Sequence, residues 1–224
     1  MRRSLKSCGL VLLAALMLSS PLLSPPARAQ NPAQSNAGGQ SLGDWLERYW
    51  TWYYGGEGAQ PGRVRNTVFL PLPAGEPTEA DPSISEGTLD VKLRPGERFV
   101  LPLFAFVGER YLEDLPDDDP AALPPGVVSD AHILLKLDGK TLVDSEVDDM
   151  SELFVQTRYF PKPVVYEEPH EYAPDVHAVS AIWFQGFGVV QPPLSKGEHT
   201  IELFVYSDVG GFGYHNTWHI TVGK

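Results

Sequence analysis

From residue 67 onward the chain carries eight β-branched or aromatic runs, each broken from the next by Gly, Pro or Asp, and this limits it to few kinds of fold. The runs are Thr67–Leu72, Thr88–Leu93, Arg98–Phe106, His132–Leu137, Leu153–Tyr159, Val176–Val190, Thr200–Tyr206 and Thr217–Val222. Segments of that length and composition read as strands. No long helical pattern separates them, so crossover helices of the α/β kind are not expected. The expected fold is mainly β, an antiparallel Ig-like or jelly-roll-type sandwich. Asp138-Gly139 is a short hairpin signal and Leu93-Arg94-Pro95-Gly96-Glu97 a second turn.

One helix is expected ahead of the strands, over residues 41–54. Ser41-Leu42-Gly43-Asp44 has the form of a capping box with Asp in place of Glu, and Gly55-Gly56 supplies a stop. Leu42, Trp45, Leu46, Tyr49, Trp52 and Tyr53 recur at spacings of three and four, which lines one face with large rings. Trp50 and Tyr54 fall off that stripe and are the candidate contact surface. Earlier still, Arg2, Arg3 and Lys6 precede an apolar Gly9–Leu18 run, and Ala27-Arg28-Ala29 offers a small-x-small cleavage pattern. That is the form of a signal peptide over 1–29, which directs the rest to periplasm or outside. Gln30–Gln40 holds no large apolar residue and reads as a flexible leader, and 41–224 as one sandwich domain with its helix.

The only cysteine, Cys8, lies within the signal, so the exported part has no disulfide, thiol nucleophile or thiolate metal site. Of 17 basic residues four precede residue 30, whereas all 29 acidic ones follow it, a balance of about −16 after cleavage. Nucleic acid and anionic membranes are poor partners for such a chain, and no transmembrane segment is expected after the signal. Divalent cations, basic partners or simple solubility suit it.

Three sets of residues could carry chemistry. His215 and His219 share one face of an expected strand and form a candidate zinc or copper pair, with His199, His177 or Asp208 as a third ligand. Asp144, Glu146 and Asp148 alternate along an acidic turn that suits calcium, although the EF-hand pattern is not met. Both sets have a bland alternative, as solvent-facing strand histidines and as an ordinary acidic turn. The aromatic helix could stack on sugars, or it could simply pack on a sheet. No Gly-x-Ser-x-Gly elbow, helical His-Glu-x-x-His pattern or phosphate loop occurs. Two long acidic, proline-rich segments, 109–128 and 161–175, are expected to be loops, functional or disordered.

Three segments, Ser41–Trp52, Ile133–Lys140 and Pro193–Ile201, together resemble a family of uncharacterised secreted bacterial proteins with a Trp-rich N-terminal helix and a C-terminal β-sandwich. The chain departs from that pattern in lacking cysteines after the signal and in reading Tyr49-Trp50 where paired tryptophans are expected. The resemblance implies fold and export and brings no catalytic residue. The expected function is thus a secreted, non-enzymatic binding or envelope-associated scaffold module with a protein or glycan partner. The alternatives are a metal-dependent hydrolase using the histidine pair and a calcium-stabilised carbohydrate binder, with Ca2+ or Zn2+ as the corresponding cofactor.

Overall fold

The computed structural model describes residues 39–58, 60–114, 119–128 and 130–223. The expected signal peptide, the leader up to residue 38, and Asp117 and Asp118 lie outside the described residues.

The chain forms a two-sheet sandwich with a helix laid on one outer face. Helix α1 (Leu42–Trp52) begins at the expected capping box: Ser41 Oγ accepts from Asp44 N at 3.2 Å and Asp44 Oδ2 accepts from Ser41 N at 3.0 Å. It runs into a π-helical turn at Tyr53–Glu57, where Gly56 takes φ +86°, a conformation that favours glycine.

Among the described residues eleven strands follow: β1 (Gly62–Val64), β2 (Thr67–Phe69), β3 (Glu76–Pro77), β4 (Ile84–Leu93), β5 (Arg98–Tyr111), β6 (Ala131–Leu137), β7 (Lys140–Asp144), β8 (Phe154–Ala173), β9 (Val176–Gln191), β10 (Gly197–Ser207) and β11 (Phe212–Val222). A short helix, α2 (Pro125–Val128), precedes β6. The sheets have the orders β1-β2-β5-β9-β8 and β3-β4-β11-β10-β6-β7. Pairing is antiparallel except at β2·β5 and β11·β4. The expected sandwich is present, and each expected run contains a strand, although Thr67–Leu72 is strand only as far as Phe69.

The two sheets differ in how they are covered, and the sequence period follows. In the six-stranded sheet β10 and β11 alternate buried and more exposed positions, with Ile201, Leu203, Val205, Trp218 and Ile220 facing inward. In the five-stranded sheet β9 is buried at every position from Ser180 to Gln191. Leu101, Phe187 and Val189 face the opposing sheet, while Val100, Phe184 and Val190 face α1. A strand covered on both faces reads as a continuous apolar run, which is why Val176–Val190 shows no alternation.

The segment 161–175, expected as a loop, is a correction. Its first thirteen residues continue β8, which pairs only with β9 and makes four register shifts along it. Pro161, Pro163 and Pro169 are tolerated because an edge strand has one side free of ladder bonds. The 109–128 segment is likewise partly ordered: β5 continues through Tyr111, and Pro120 O accepts the Trp183 indole N–H at 2.7 Å. The other edges are β1 and β3, of three and two residues, and β7, which carries a register shift against β6.

Candidate functional site

Helix α1 is held down by one deep anchor and one lateral clamp. Tyr49 is fully buried and its hydroxyl donates to Leu70 O at 2.8 Å. Leu46 presses on Gly188 of β9, where a Cβ would come within 2.7 Å of Leu46 Cδ2, so the close approach requires glycine. Arg158 of β8 donates to Asp44 Oδ1 at 2.6 Å and Glu47 Oε2 at 2.5 Å, tying the helix to the edge strand.

That fixed geometry brings the C-terminal end of α1 against the long arm of β8 and makes a cleft of about 660 Å³. Its aromatic wall is a stack. Trp50 and Tyr54 have ring centroids 5.6 Å apart, Tyr54 and Tyr166 5.0 Å, and Tyr166 and His170 4.3 Å, with interplanar angles of 28°, 24° and 24°. The ladder runs from buried Trp50 to exposed His170. Glu167 and Glu168 line the same cleft, the Glu167 carboxylate lying where a Gly56 side chain would be.

Behind the ladder sits Glu109 of β5, 8% exposed. Tyr166 Oη donates to its Oε1 and Tyr172 Oη to its Oε2, the latter at 2.9 Å. Both carboxylate oxygens are thus engaged, as a buried charge requires. Burial, then the bond to Glu109, pushes the phenols of Tyr166 and Tyr172 up; burial, then the Glu109 charge, does the same at Tyr54. All three remain protonated donors across the physiological range, and none supplies a phenolate base.

Of the two residues expected as a contact surface, Trp50 is corrected, being only 6% exposed, whereas Tyr54 is half-buried and lines the cleft. The stack continues past Tyr54 and Tyr166 to the exposed His170. Sequence reasoning missed Glu109, Tyr166 and His170, because 109–128 and 161–175 both read as loops.

The histidine pair also needs correction. His215 and His219 do share the outward face of β11, but four residues of strand separate them by about 13 Å, too far for two imidazoles to meet on one ion. Each instead faces a carboxylate on β4, in register with Glu86 and Asp90. His215 Nδ1 is 3.7 Å from Glu86 Oε1, and its ring stacks on Phe204 at 3.7 Å. The suggested third ligands are engaged elsewhere: His199 with Asp138, His177 with Glu113, and Asp208 with His132. Among the described residues no group of three or more His, Cys, Asp or Glu is placed to hold a metal ion.

At the acidic turn, Asp144 Oδ1 accepts from Glu146 N at 3.0 Å and Asp148 Oδ2 from Asp144 N at 2.8 Å. These two carboxylates close their own turn, and Glu146 points no carboxylate into a shared cage with them. No helix among the described residues is long and apolar enough to cross a membrane.

No protein-family model matches this chain, and no curated protein matches it. A solved structure similar to it, "Structure of PbICP-C in complex with falcipain-2", shares 11% identity, covers 70% of this chain and 98% of that one, and has a TM-score of 0.27. A likeness that distant bears on neither fold nor function.

Proposed function

We propose that this protein is an exported, non-enzymatic binding module whose acid-rimmed aromatic cleft takes a cationic group of a partner, such as a lysine or arginine side chain of a protein segment. The observation that carries this reading is the Trp50–Tyr54–Tyr166–His170 stack ending at the mouth beside Glu167 and Glu168. Aromatic faces are electron-rich and attract cations, and carboxylates at the mouth add charge pairing. The net charge of −12 supports the approach of a basic partner over longer range. Export rests on the signal pattern of residues 1–29. Protonated tyrosines and a Glu109 engaged at both oxygens favour recognition over catalysis.

The test is calorimetric titration of the protein with pentalysine at low and high salt, alongside a neutral chitooligosaccharide. Saturable pentalysine binding, weakened by salt and about tenfold weaker in a Glu167→Gln/Glu168→Gln variant, is expected. Pentalysine binding that is absent, or untouched by the double replacement, would overturn the reading; selective binding of the sugar would replace it with a glycan-binding one.

A further inference from the structure

A second cleft, of about 410 Å³, opens between α1 and the β1–β2 turn, and its lining has the opposite charge. Arg48 from α1, Arg65 from the turn and Arg98 from the start of β5 all line it, three of the seven arginines after residue 29. The Arg48 guanidinium lies 6.0 Å from the Trp45 ring centroid, and with the Gln40 carboxamide turned oxygen-first, that oxygen accepts from Arg48 at 2.8 and 3.3 Å. Arg65 is held in the left-handed region at φ +56°. Arg98 Nε is buried and has no hydrogen-bond partner among the described residues.

The other ion-paired arginines show what is missing here. Arg63 has Glu97, Arg110 has Asp119, and Arg158 has both Asp44 and Glu47. Among the described residues no carboxylate lies within ion-pairing distance of Arg48, Arg65 or Arg98, although acids far outnumber bases in the chain. Residues 1–38 contain no Asp or Glu, so the preceding segment has no side-chain carboxylate to bring. A guanidinium N–H buried without an acceptor is unfavourable, and several guanidinium groups around one space match a multidentate oxyanion.

We infer that this cleft is an oxyanion site that takes a phosphate or sulfate group, with Arg98 Nε as its buried donor and Arg48 and Arg65 closing from the rim. The ligand satisfies a buried donor that the fold leaves unpaired and neutralises a concentration of positive charge that no carboxylate among the described residues offsets. It is independent of the acidic cleft, with which it shares only the helix.

The experiment is a titration of the ¹⁵N-labelled protein with inorganic phosphate at constant ionic strength set by chloride, following the Arg98 Nε–H resonance, which Arg98→Lys identifies by its loss. The resonance should move saturably. Arg48→Gln and Arg65→Gln, both at exposed positions, should each weaken binding about tenfold while leaving the melting temperature nearly unchanged. A resonance that responds no more to phosphate than to chloride overturns the site, as does undiminished phosphate binding in both variants. A parallel titration with glycerol phosphate separates the two sources: tighter binding than inorganic phosphate supports the site and assigns it to an ester on a larger molecule, and weaker binding supports it as a site for the free anion.

Discussion

The two clefts have no lining residue in common and are related only through α1, which carries Trp45 and Arg48 of one and leads into Tyr53 and Tyr54 of the other. At the C-terminal end of the helix, rings from α1 and β8 stack face to face, the buried acid behind them is fully hydrogen-bonded, and free carboxylates stand at the mouth. Near the N-terminal half, the rings recede to Trp45 and the lining is guanidinium, with one buried donor left unpaired. The difference in lining charge runs against the helix dipole, which favours basic side chains at the C-terminus and acidic ones at the N-terminus, so it is set by the side chains that converge from other elements. It also shows that a strongly acidic net charge says little about any one surface: the excess acid is not spread evenly, and its local absence marks the second cleft.

The largest expected effect comes from removing the anchor of the helix that relates the two clefts. Tyr49→Ala takes away a fully buried ring and its bond to Leu70 O, and should cost about 3–5 kcal/mol by urea denaturation, with binding of pentalysine and phosphate lost together. If only one activity fell, the helix would not be the common support.

Glu109→Leu acts on one side only. It deprives the Tyr166 and Tyr172 hydroxyls of their acceptor, should cost about 1–3 kcal/mol, and should weaken pentalysine binding with phosphate affinity unchanged. A matching fall in phosphate affinity would show that the clefts are coupled.

Arg158→Ala releases the lateral clamp. Because Arg158 and Asp44 are each more than a third exposed, the expected cost is about 1 kcal/mol or less, read as a small drop in melting temperature. Backbone and side-chain bonds from Ser41, partly opposed by burial and aided by Arg158, hold the Asp44 carboxyl below its usual 3.8. Its contribution is therefore present above about pH 3.8 and lost as pH falls through the lower folded value.

The smallest effect is a control on the far sheet, where His199 and Asp138 pair at 2.7 Å. The bond to Asp138 raises the His199 imidazole above 6.5, so its share of stability is complete below about pH 6.5 and lost as pH rises through the higher folded value. Burial pushes Asp138 up, but the bonds from His199 and Thr200 N prevail and hold it below 3.8, so its share is present above that pH and lost on acidification. Melting temperatures of the parent and His199→Gln measured across pH should diverge between those limits and converge at alkaline pH. Neither ligand's affinity should follow that titration.

Where burial is one-sided, the sequence carries its own register: β10 and β11 alternate, and the helix stripe from Leu42 to Tyr53 points at its sheet. β9 was legible for the opposite reason, as an unbroken apolar run between two covers. The β8 arm was not legible, because an edge strand tolerates the prolines and acids that elsewhere mark a loop. Losing that arm also misplaced Trp50: the helical period put it outside the main stripe, and its burial shows only once the arm is in place. The histidines were placed on the correct face, but spacing four on a strand is a distance that chelation cannot bridge. Arg48, Arg65 and Arg98 gave no local signal, since their convergence depends on the β1–β2 turn folding back beside the helix.

The treatment of the sheet rims has a further consequence. β1 and β3 are too short to template another chain, and β7 and β8 are broken by register shifts, so none of the four rims offers a long, straight row of free amides and carbonyls. Strand addition by a partner's extended segment is thereby disfavoured, and so is edge-to-edge fibril growth at high concentration.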